Sequence, residues 1–448
     1  MPDLAILGGT VVSPQSEARL NIYVDDGRVA AVTSDVVAAD NVVDATGLHV
    51  FPGFVDTHVH LMDPGPTERE DFPTGTAAAA ARGVTTIVEH THGHPIRLPD
   101  DLTKKREHLR ERSHVDYGLA AHVWPDTIDR LHELWEAGVT FFKIFTCTTH
   151  GVPGIDTANL WRTFTALADF GGTCLVHCED EAMTAAAERF LRAEGRTDNA
   201  VIAQWRSREA EEVAAAVTAL LARHAGAQVN VAHVSTPAVA ALVAREREAG
   251  ADIAAEGCPQ YFLLREDELL EHGALRKFTP PARARSDAEE DDMWRLLRHG
   301  VLNHISTDHA PSTLEQKRHG SIWDVHFGLP GLDTTAPLLL DAATRGKLSL
   351  GDVVRVYAER PAKRYGLFPR KGHLGVGADA DIVLADLAAT GVVRDQDVLS
   401  KAGWTPYAGR SVNGRIVSTF LRGRPLAADG APVTDEAGRF LPGRGAAA

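Results

Sequence analysis

Residues 53–65 read GFVDTHVHLMDPG, an apolar run that closes on two histidines one residue apart. In a strand, residues i and i+2 point to the same side, so His58 and His60 can grip one ion together. The chain holds 21 histidines, so the pair signifies little until partners are found elsewhere. The search for those partners also decides the fold, because each one closes another strand-like run.

Those runs are GFVDTHV, GVTTIVEH, VDYGLAAHV, VTFFKIF, GTCLVHC, QVNVAHV, ADIAAEG and LNHISTD. Helical stretches separate them, most clearly REAEEVAAAVTALLARHAG, where Gly226 stands at the C-cap position. Eight strands alternating with helices over roughly three hundred residues predict an α/β fold of the (β/α)8 TIM-barrel type. A doubly wound sheet is the alternative, but no glycine-rich phosphate fingerprint follows the first strand.

Both chain ends have a different texture, with short β-branched runs between turn residues. LAILGGTVVSP, LNIYVDDGRVAAV and NVVDATGLHVFPG lie at the start, and GADADIVLADL, SVNGRIVSTFLRGRPL and APVTDEAG at the end. The Gly-Gly and Asp-Gly pairs read as hairpin turns. Neither end can bury a core alone, so the two are expected to form one composite β-sandwich. The expected division is 1–50 and 368–448 for the sandwich and 51–367 for the barrel.

With 46 Lys and Arg against 61 Asp and Glu, the formal charge is −15, which offers no long-range attraction to nucleic acid or an anionic membrane. The four cysteines, Cys147, Cys174, Cys178 and Cys258, show no disulfide spacing. The start has no signal-peptide pattern and no apolar run is long enough to span a bilayer. The expectation is a cytoplasmic protein whose partner is a small molecule.

At the strand ends stand His58 and His60, then Lys143, His177, His233 and Asp308. Barrel strand ends converge on one face, where active sites are built. Singly, His177 or His233 reads as a satisfied core histidine. Lys143 lies between Phe142 and Ile144, where an ammonium is costly. Either carbon dioxide carboxylates it to an anionic bridge between two metals, or the amine snorkels to the barrel mouth. Asp308, closing an apolar strand, is costly unpaired and at home on a metal. Together the six predict a binuclear centre: His58, His60 and Asp308 on one ion, His177 and His233 on the other, carboxylated Lys143 between them.

The chain resembles the amidohydrolase superfamily, and within it the cyclic amidases, namely allantoinase, hydantoinase and dihydropyrimidinase. The resemblance runs from PGFVDTHVHLMDPGPTEREDFPTGTAAAAARGVTT through KIF, LVHCED, AHVSTP, CPQYFLL, KFTPPAR and STDHAP to WTPYAGRSVNGRIVSTFLRGRP. Allantoinase is nearest, through Pro-Gly-x-Thr-Glu, LVHCED and CPQYFLL. The resemblance implies two divalent ions, zinc in most members, a homotetramer, and ring opening of a cyclic amide or ureide by a metal-bridging hydroxide, with Asp308 carrying the proton from water to the leaving nitrogen.

The substrate handles depart from that pattern. EHTHGHP puts Gly93 or a neighbouring histidine where allantoinases have an Asn, Thr148 replaces the Tyr of dihydropyrimidinases, and Met62 replaces the Arg of dihydroorotases. These three, with His90, His92, Thr279 and Pro330, are the candidate substrate contacts. His90 and His92 read equally as pocket donors or loop histidines, while His94 and the basic EQKRHGS segment read as solvated. Two other functions stay open: a fold relative that binds without catalysis, which the six filled ligand positions disfavour, and a one-metal deaminase, which the strand-four lysine disfavours.

Overall fold

The computed structural model describes residues 1–434 and 437–446. The barrel strands are β1 (Phe54–Val59), β2 (Val84–Glu89), β3 (Asp116–Leu119, resumed at Ala121–His122), β4 (Phe142–Phe145), β5 (Thr173–His177), β6 (Gln228–Val231), β7 (Ile253–Gly257) and β8 (His304–Ile305). All pair in parallel, in the order β3-β2-β1 and, from the second part of β3, through β4 to β8.

The two sheets meet at both seams. VDYGLAAHV is two short strands divided at Ala120, whose N–H donates to the Glu89 carbonyl on the β2 side while that of Ala121 donates to Phe141 on the β4 side. Across the other seam the His60 N–H donates to the His309 carbonyl at 2.8 Å, beside a parallel bridge between Val59 and His309.

Helices cover the strands, as in Arg208–Ala225. Ser207 caps its start by accepting the Ala210 N–H, and it ends at Gly226, φ 70°. Ala210, Ala214, Thr218 and Ala222 are buried at helical spacing, which lays small side chains against the barrel wall. Strands enclosed on both faces lose the in–out alternation, which is why β4 is buried at every position, Lys143 included.

The sandwich is shared by both ends. One sheet pairs Arg28–Thr33, Asn21–Asp25, Leu4–Leu7 and Asn41–Asp44. The other places Thr10–Val12, Glu17–Arg19 and His49–Pro52 beside Ile382–Val392, Ser411–Leu421 and Arg424–Ala428. Ile6, Ile22 and Val24 pack with Ile382, Leu384 and Phe420 between them.

Asp26 and Gly27 form the hairpin turn expected of them, with φ 47° and 72°. Gly8 and Gly9 do not: Leu4–Leu7 pairs in one sheet and Thr10–Val12 in the other. The pair instead carries the chain across the sandwich, where a Cβ on Gly9 would lie 2.5 Å from Val50 Cγ2. EQKRHGS also differs from expectation, since Leu314–Arg318 is a helix and Lys317 is buried, its Nζ donating to the carbonyls of Lys277 (3.0 Å) and His326 (2.9 Å). All four cysteines are free and buried, and among the described residues no helix is long and apolar enough to cross a membrane.

Candidate metal centre and active site

The structure brings the six predicted groups together at the carboxyl ends of the strands. His58 lies in β1, His60 just past it, Lys143 in β4, and His177 at the end of β5. His233 and Asp308 follow β6 and β8 in the left-handed region, at φ 34° and 51°. Neither is glycine, and such strain in an L-residue is characteristic of functional sites.

Three of the imidazoles, His58, His60 and His177, are held by one nitrogen and aimed by the other. His58 Nδ1 lies 2.7 Å from Glu256 Oε1, and its Nε2 lies 3.0 Å from Asp308 Oδ1 and 3.3 Å from Lys143 Nζ. His60 Nδ1 lies 2.5 Å from the His90 carbonyl and its Nε2 3.4 Å from the same Asp308 oxygen. His177 Nε2 lies 2.7 Å from Glu179, which leaves Nδ1 facing His233 Nε2 at 2.9 Å. Outer partners of this kind fix the ring and tautomer of metal-ligating histidines.

Charge is balanced within this shell. Burial works to raise the Asp308 carboxyl, but His58, His60 and His233 together hold it well below the usual range. Burial lowers the Lys143 amine to about 8, partly opposed by Asp308 and Glu256. Burial likewise pushes Glu179 up, yet Arg206 and His177 outweigh it and hold the carboxyl at about 2. Thr279 adds a 2.7 Å hydroxyl donation to Glu179.

Above the six groups lies a narrow cavity of about 20 Å³, walled by His92, Phe145, His150, Thr279 and Phe327. Of the candidate contacts, His92 and Thr279 therefore line it. His90 is buried behind His58 and His60, ring centroids 4.7 and 4.3 Å away. Met62 is buried off the cavity, its sulfur 3.7 Å from Thr91 Oγ1, and Pro330 is buried beyond the lining residue Gly328. Gly93 and His94 are exposed.

Thr148 is exposed too, its N–H turned to Glu181, because the chain has already left the barrel mouth there. His150 returns to the wall instead, stacked on His92 at 4.4 Å and 9°.

Sequence reasoning passed over Glu179, Glu256, His122 and His150. Glu256 carried a readable signal, since a carboxylate closing the apolar run ADIAAEG is as costly as Asp308, and Glu179 stands two residues from His177. His122 and His150 carried none, lying in a plain strand and a loop.

The Amidohydrolase family model matches residues 49–426. The chain is 34% identical to an allantoinase of Rubrobacter xylanophilus over 446 residues, 98% of this chain and 97% of that one. It is 33% identical to an allantoinase of Salmonella choleraesuis over 435 residues, 94% of each. Among solved structures, the L-hydantoinase (dihydropyrimidinase) of Arthrobacter aurescens superposes with a TM-score of 0.94 at 30% identity, covering 99% of this chain and 100% of that one. A D-hydantoinase gives 0.90 at 30% identity and 98% of each. With its family model spanning most of the sequence and full-length relatives on every side, the chain belongs to the amidohydrolase family.

Proposed function

We infer that the protein is a cyclic amidohydrolase, which opens the C–N bond of a ring amide or ureide of the allantoin or hydantoin kind using two divalent cations, zinc in the first instance. The observation that carries this reading is the aim of the imidazoles. Glu256, the His90 carbonyl and Glu179 engage the outward nitrogens of His58, His60 and His177, leaving the inward ones to converge with His233 and Asp308. Buried donors so arranged fit cations and little else.

His58, His60 and Asp308 would hold one ion, His177 and His233 the second, with Lys143, carboxylated by carbon dioxide, between them. Burial favours the uncharged amine on Lys143, and that form is the one able to react. When bound, the cations would supply Lewis acidity toward a water and toward the ring carbonyl.

The chain's own groups move the protons. Asp308, ionised at neutral pH and partly open to the cavity, accepts the proton of the attacking water and returns it to the ring nitrogen as the C–N bond breaks. The ring is thereby opened to an acid bearing an amide or carbamoyl group. The cavity is smaller than any such ring, so its wall must open for entry.

The proposal extends to the division 1–50, 51–367 and 368–448, to a homotetramer, and to a cytoplasmic location. The sandwich shared by the chain ends supports the division, the family resemblance the homotetramer, and the four free cysteines the location. Zinc-loaded protein tested against cyclic ureides, imides and lactams, with metal counted by elemental analysis, decides the main reading. Two ions per chain and turnover of at least one ring are expected. Failure to open any ring with two ions bound would favour a non-catalytic binding protein, and one ion with deamination would favour a deaminase.

A further inference from the structure

Adjoining the six groups of the pair, and in ring contact with His58 and His60, His90, His92 and His122 form a triangle. Their ring centroids are 6.5, 5.9 and 5.7 Å apart, with planes inclined at 76°, 59° and 74°. One ring nitrogen from each lies within 4.8 Å of the others. Three imidazoles on one tetrahedral zinc ion, with Zn–N of about 2.1 Å, have centroids roughly 5 Å apart. Contraction by about 1 Å brings this triangle to that spacing.

Packing does not explain the cluster. His90 and His122 are buried, and among the described residues neither nitrogen of either ring has a hydrogen-bond partner, nor has Nε2 of His92. Phe141 lies edge-on to His90 at 5.5 Å, and Phe145 stacks on His122 at 6.0 Å. These walls offer no hydrogen bond. Orphaned polar atoms in a buried site are costly, and phenyl rings would fill the same space without that cost. A neutral imidazole carries one lone-pair nitrogen, so the three converging rings offer three lone pairs to a single acceptor.

We propose that His90, His92 and His122 hold a third metal ion, a first-row dication of the zinc class, next to the pair. Imidazole ligands suit such ions. The site reaches the pair through the backbone, since the His90 carbonyl fixes His60 Nδ1. His92, half-buried at the cavity wall, gives the entry path. Three imidazoles bring no anionic ligand, whereas the pair has Asp308, so the third ion binds more weakly and leaves first.

The test is zinc titration of the full chain, with elemental analysis and anomalous diffraction at the zinc edge. Expected are three ions per chain, one removed at a lower chelator concentration, and a peak among the three rings. His122→Asn should lower the content from three to two and leave the pair's peaks in place. His177→Ala with His233→Ala should keep the third peak, so failure of the pair and of this site are separable. Saturation at two ions with no density among the rings would overturn the proposal, as would three ions in His122→Asn. Should that variant fail to fold, the wild-type anomalous map alone decides.

Discussion

Glu256 Oε1 lies 2.7 Å from Nδ1 of His58 and 3.1 Å from the backbone nitrogen of His233, tying two of the proposed ligands, one within β1 and one just past β6, to one carboxylate. Glu256 is fully buried. Glu256→Gln should therefore weaken metal binding by roughly 10- to 100-fold while the protein still folds. Zinc affinity measured by competition with a chelator checks it, and an unchanged affinity would remove Glu256 from the site's support.

Substitution of Lys143 tests its proposed bridging role. Its amine lies 3.3 Å from His58 Nε2, and burial brings it down to about 8. Lys143→Ala should lose activity, and short carboxylic acids with bicarbonate should partly restore it by supplying the missing oxygens. A crystal structure of the wild type should show added density on Nζ between two ions. Plain amine density, together with full activity in Lys143→Ala, would end the idea.

Glu179 gives a prediction about acid. Its carboxyl is held at about 2 against an ordinary 4.5, with burial opposed by Arg206 and His177. A carboxyl depressed by folding contributes stability that is complete above its unfolded value and is lost as pH falls toward its folded value. At about 1.4 kcal/mol per unit, the contribution is on the order of 3 kcal/mol at neutral pH, with about 2 kcal/mol of it gone by pH 3. In chelator-treated protein, the stability gap between wild type and Glu179→Gln should shrink from pH 6 to pH 3. A gap constant across that range would contradict the assignment.

What the sequence made legible follows burial and charge. Lys143 among phenylalanines and Asp308 after an apolar strand were visible because a charge in such company demands an explanation. The sandwich was visible because neither end could close a core. Gly8–Gly9 misled, since a glycine pair permits a tight turn and a crossing between sheets alike, and only the pairing partner distinguishes them. Lys317 misled because its polarity is satisfied by carbonyls that sequence does not display. His122 and His150 were silent for the same reason: a histidine's role depends on what its ring meets, and the rings they meet come from other strands and loops.

A buried hydrogen-bonding group commonly separates an accepted from a rejected substrate by several orders of magnitude, because an unmatched polar group in a closed pocket is costly. Here the handle positions are spent otherwise: Gly93 is exposed, Thr148 faces Glu181, and Met62 is buried against Thr91. His92 and His150, stacked at 4.4 Å, form the wall in their place. Allantoin, dihydrouracil and dihydroorotate should therefore each be poor substrates, while another cyclic amide or ureide is opened efficiently. His150→Ala should widen the range of rings accepted, raising kcat/KM for bulkier ones relative to the preferred ring. Steady-state kinetics on zinc-loaded protein decides it, because a kcat/KM for allantoin of roughly 10⁴ M⁻¹s⁻¹ or more, the range of a working enzyme on its own substrate, would sink the hypothesis.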